Sequence, residues 1–74
     1  MNRQQIEWIY NHVESITNKY LAVFPLNDEL WQQLHDETQN LYKMSKENEE
    51  VKEILLAVIM YFDKLDALYR KVGR

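Results

Sequence analysis

Two histidines and two serines are the side chains from which metal or nucleophile chemistry would have to be built in this 74-residue chain. Metal sites on helices pair His or Glu at i, i+3 or i, i+4, so that donors converge on one face. His12 has Trp8, Ile9, Ser15 and Ile16 at those offsets, and His35 has Trp31, Gln32, Thr38 and Gln39. Neither set holds a carboxylate or a second imidazole, so no local metal site is expected. Ser15 and Ser45 lack the glycine-flanked elbow that exposes a serine nucleophile. The chain has no cysteine, which removes thiol catalysis and cysteine-bound zinc. No glycine-rich loop precedes a helix to cradle phosphate. These absences argue against an enzyme and against a bound cofactor.

Binding chemistry is better represented. Trp8 and Tyr10 lie off the apolar stripe of their helix, on opposite flanks, and such aromatics bury much area at little entropic cost. Trp8 has a competing role as an edge of the core. Farther along, Ile54-Leu55-Leu56-Ala57-Val58-Ile59-Met60-Tyr61-Phe62 has no polar interruption. A helix apolar on every side is normally buried on every side. The excess falls on Leu56 and Met60, one turn apart, with Ile59 and Ala57 beside them. Methionine suits an adaptable contact. These residues and the two off-stripe aromatics are the candidate protein-binding positions.

The elements that carry them follow from periodicity. Ile6, Ile9, Val13, Ile16, Tyr20 and Val23 recur at 3-4-3-4-3 spacing, which predicts a helix over about 3–23 with one buried stripe. Pro25 disfavours helical geometry at Phe24 and ends it. Asn27 is a good N-cap, followed by Asp28 and Glu29 at the positive end of the dipole. Leu26 and Trp31 occupy the positions of a hydrophobic staple. The second helix is expected over about 28–44, burying Leu30, Leu34, Thr38 and Leu41, with Trp31, His35 and Tyr42 along one flank.

Ser45-Lys46-Glu47-Asn48 breaks the pattern, and either Ser45 or Asn48 would cap a third helix running to about residue 72. Its front face combines Val51, Ile54, Leu55, Val58, Phe62, Leu65, Tyr69 and Val72, widened by Tyr61 and Leu68 on one side. Gly73 suits the position just beyond the last turn. Short linkers make sequential helices antiparallel neighbours. The prediction is an all-α, up-down-up three-helix bundle over residues 1–74, with dimerisation as one way of completing its core.

Charge is uneven along the chain. Residues 1–25 carry no net charge, 26–53 carry −5 and 54–74 carry +2, for −3 in all. Acids at the start of the third helix and bases at its end complement its dipole, which accounts for most of this asymmetry. A net acidic domain is a poor match for nucleic acid, which calls for a basic stripe. A nucleic-acid-associated regulator using Lys64, Arg70, Lys71 and Arg74 is the alternative reading.

The longest apolar run has nine residues, about half of a bilayer span, and the opening residues are polar without a secretory core. The third helix mixes acids among its bases, unlike a membrane-surface helix. A cytoplasmic location is expected. Together these features predict a non-enzymatic protein-interaction module, self-associating through the back of its third helix, whose partner the residues do not name.

Overall fold

Three asparagines start three helices. Asn2 Oδ1 accepts from the Gln5 backbone N–H at 2.9 Å, Asn27 Oδ1 from Leu30 N–H at 2.8 Å, and Asn48 Oδ1 from Glu50 N–H at 2.8 Å. Each bond satisfies a donor that the first helical turn leaves without an intrahelical partner. In the computed structural model, which describes residues 2–72, these caps open α1 (Arg3–Ala22), α2 (Asp28–Met44) and α3 (Glu49–Val72). The first cap is reciprocal, because Gln5 Oε1 also accepts from Asn2 N–H at 3.0 Å. This capping box is legible in the sequence as Asn-x-x-Gln. Asn48, rather than Ser45, caps the third helix.

The ends are equally local. α1 stops at Ala22, one residue short of expectation, with Val23 as its C-cap and a cis Phe24–Pro25 peptide beyond. α2 closes in a Schellman arrangement: Glu47 N–H donates to Tyr42 O and Lys46 N–H to Lys43 O, both at 3.0 Å. Lys46 and Glu47 both take positive φ, 61° and 57°. Ser45 fixes the turn from inside. Its hydroxyl donates to Tyr42 O at 2.6 Å and accepts from Asn48 N–H at 3.3 Å. The proposed terminal glycine at residue 73 and the side chain of Val72 lie outside the described residues.

All three helices pack on one another, forming an elongated three-helix bundle of 45 × 21 × 19 Å. Ile9, Ile16 and Tyr20 from α1 meet Leu34 and Leu41 from α2 and Val51, Leu55, Val58 and Phe62 from α3. Leu26 is buried and Trp31 half-buried, as their staple positions require. Tyr20, Leu34 and Phe62 are fully enclosed, and the Tyr20 and Phe62 rings meet edge-on at 6.5 Å. Burying each such side chain contributes about 1.5–3 kcal/mol. Thr38, a polar residue buried in the core, donates its hydroxyl to His35 O at 2.8 Å.

Several stripe residues are less buried than their spacing implied. Ile6, Val23 and Tyr69 are about half-exposed, and so are Tyr61 and Leu68 on the flank of α3. Leu30 and Val13 are only partly buried.

Candidate protein-contact surfaces

Inter-helix contacts fix which flank of each helix faces which neighbour. Lys19 Nζ lies 2.9 Å from Glu37 Oε1, so the Trp8–His12–Lys19 flank of α1 meets α2. Leu55, Leu56 and Ile59 of α3 line a groove of about 290 Å³ with Thr38, Gln39 and Tyr42 of α2. That places the opposite flank of α3, carrying Ile54, Ala57, Tyr61, Leu65 and Leu68, beside α1. By the same helical geometry, Ile6, Tyr10, Val13, Thr17 and Leu21 flank α1 on its α3 side. The two helices run parallel. Phe24 meets Tyr69 edge-on at 5.6 Å at one end, while Gln5 and Trp8 share a cavity with Asn48 and Val51 at the other.

Leu56 and Met60 point away from the core, 50% and 58% exposed. Ile59 is partly buried against α2, and Ala57 is exposed. The structure therefore splits the candidate patch. Leu56 and Ile59 line the α2–α3 groove, whereas Met60 stands on the back of α3 among charged neighbours.

Trp8 is half-buried against the core, with its ring 4.6 Å from that of His12. It lines an end cavity of about 290 Å³ together with Met44 and Lys46. Tyr10 is on the other side of α1 and 63% exposed. Its hydroxyl meets the Glu14 carboxylate, and that hydrogen bond and charge hold the phenol above its ordinary value. The two off-stripe aromatics thus belong to different surfaces, as their opposite flanks required.

The α1–α3 seam also carries exposed apolar side chains. Tyr61 is 48% and Leu68 58% exposed, and with Tyr10 and the partly exposed Ile6 and Leu21 they form a long apolar face. The signal was present in the spacing: Tyr61, Leu65 and Leu68 stand at i, i+4 and i+7, as Ile6, Tyr10 and Val13 do.

A polar cluster joins α1 to α2. Burial pushes the Tyr20 hydroxyl far above its usual range, and the adjacent Glu37 carboxylate adds to this. For Glu37, burial alone would raise the carboxyl, but Tyr20 and Lys19 outweigh it and hold the group low. The Tyr20 hydroxyl and Glu37 Oε2 are both buried, and each shifts the other's proton affinity. This cluster ties two helices together in register.

His12 and His35 lie on different flanks, one facing α2 and one at the α2–α3 groove. No group of three metal-donor side chains occurs among the described residues, and no helix there is long and apolar enough to cross a membrane. At the basic end of α3, Arg70 Nε is 2.9 Å from Asp66 Oδ2, which offsets part of the charge that phosphate recognition would use. Comparison with known proteins finds no matching family model, curated protein or solved structure.

Proposed function

We propose that this chain is a non-enzymatic helical protein-interaction module, an adaptor, inhibitor or regulator that acts by laying an apolar helix face on another protein. The observation that carries this reading is the apolar surface left in water on α3. Leu56, Met60, Tyr61, Leu68 and Tyr69 are all about half-exposed although the helix packs on both neighbours. Covering such surface contributes about 25 cal/mol per Å², and contiguous apolar patches on small proteins commonly mark contact sites. Tyr10 extends this surface onto α1, Ile59 extends it toward α2, and Trp8 offers a separate aromatic edge at the end cavity.

The polar side chains support a binding role over a chemical one. Ser45 is engaged in the turn, and the two histidines face different seams. A cysteine-free chain suits a reducing compartment, and the cytoplasm is where we place it.

The test is affinity capture from the native cell with wild-type protein and with Leu56→Glu/Met60→Glu/Leu68→Glu. These positions are exposed, so circular dichroism should show an unchanged helical fold. The expected result is a set of proteins retained by wild type and released by the variant. Identical capture by both, or none by either, overturns the reading.

A further inference from the structure

We infer that the back of α3 docks on the back of α3 of a second copy, antiparallel about a two-fold axis, in a register set by the charges along the helix. This names the partner of a surface already assigned to protein contact, and it rests on that reading.

Phe62, fully enclosed, marks the core side of α3. At about 100° per residue, Glu53, Met60, Lys64 and Lys71 fall within about 20° of the opposite direction. Glu49 and Leu56 lie beside them, both on the side toward α2. All six are exposed. The stripe is acidic in its first half (Glu49, Glu53), apolar at its centre (Leu56, Met60) and basic in its second half (Lys64, Lys71). None of its four charged side chains makes an ion pair among the described residues. For Glu53, Lys64 and Lys71, no residue of opposite charge stands three or four positions away, where a helix supplies its own partners.

That order selects the occupant. A reversed copy of the same stripe presents bases to these acids and apolar side chains to Leu56 and Met60. Glu53 and Lys64 are centred between residues 58 and 59, and Glu49 and Lys71 on residue 60. One two-fold axis between those centres leaves each acid about 2 Å out of level with the base of the other copy. A lysine side chain spans that offset. Near the axis, Leu56 of one copy lies against Met60 of the other, and Ala57 is too small to hold the helices apart. Such an interface is self-complementary by construction. A parallel arrangement stacks acid on acid and base on base. The contact is one helix wide, less than the ~800 Å² per partner of a standard interface, so dissociation on the order of 100 µM is expected.

Sedimentation velocity and light scattering from about 5 µM to 1 mM at low salt test the arrangement. Wild type should shift from monomer toward dimer mass across that range. Leu56→Glu/Met60→Glu should remain monomeric while circular dichroism shows an intact fold, and Tyr10→Gln, on α1, should dimerise like wild type. Glu53→Lys and Lys64→Glu should each weaken the dimer about three- to tenfold, because two exposed contacts turn repulsive. The double variant Glu53→Lys/Lys64→Glu should recover wild-type affinity, since both cross-copy contacts again join opposite charges.

A parallel pairing predicts no loss in either single variant. That result, or a double variant no tighter than the singles, overturns the antiparallel register. A dimer kept in Leu56→Glu/Met60→Glu overturns the assignment of the face. Wild type that stays monomeric to 1 mM overturns self-docking altogether. The interaction-module reading fails separately, on the capture experiment above, and stands without self-docking if capture still depends on the α3 surface.

Discussion

Lys46 and Glu47 occupy left-handed backbone, where the β-carbon of a non-glycine residue crowds the following carbonyl. Nothing in their side chains announces this, and the sequence marked the segment only as a polar break. For Lys46 the conformation follows from the Schellman closure of α2, which needs positive φ just past its C-cap. Lys46→Gly should therefore raise stability by about 0.5–1 kcal/mol, seen as a thermal midpoint a few degrees higher. An unchanged or lower midpoint would show that the turn is not strained.

A second residue-scale consequence concerns pH. Glu37 is held below its unfolded value, so its contribution is present above about pH 4.3 and lost as pH falls through the lower folded value. Lys19 is more than half exposed, which limits the effect through solvent screening. Glu37→Gln should cost about 0.5 kcal/mol at pH 7 and less near pH 2.5. Urea midpoints of both proteins at the two pH values check this.

At the scale of the helix, burial divides residues that composition treats alike. Met60 and Phe62 are two positions apart in one apolar run, yet Phe62 is fully enclosed and Met60 mostly in water. Phe62→Ala should cost about 3–5 kcal/mol through lost transfer energy and a residual cavity. Met60→Ala should change stability by less than about 0.5 kcal/mol. Denaturant unfolding of both variants makes the comparison, and similar losses would contradict the assigned faces.

The helical period located these faces correctly at their centres and overextended them at their edges. Tyr69 lies on the core stripe of α3 but two turns beyond Phe62, where contact with Phe24 leaves half its surface in solvent. Ile6 and Leu68 face the outer side of the α1–α3 seam. A wheel projection puts Ile6 on its stripe and Leu68 at the far flank, and takes no account of where the neighbouring axis lies.

On the scale of the whole molecule, three helices enclose one core and leave three outer seams. One seam is tied by Lys19 and Glu37, and another is the α2–α3 groove. The third, between the parallel α1 and α3, carries the exposed aromatic and leucine side chains. Self-association through the exposed apolar surface of α3 would link folding to association by mass action. The thermal midpoint should then rise by several degrees from about 5 to 500 µM protein, and Leu56→Glu/Met60→Glu should abolish that dependence. A midpoint independent of concentration for wild type would count against self-association.

The all-α class, the three helices, the Asn27 cap and the cores of the stripes were legible in the chain because they rest on local rules. A cap needs only its own first turn, and a 3.6-residue period needs only its own helix. The candidate surface was legible in part: Leu56 and Met60 emerged from an unbroken apolar run, and Tyr10 from its offset. What tertiary structure alone decided was the arrangement of the flanks. The Lys19–Glu37 contact, the Tyr20–Glu37 cluster and the α1–α3 face each join residues far apart in sequence. Their proximity depends on the direction and rotation of packed helices, which no single helix encodes.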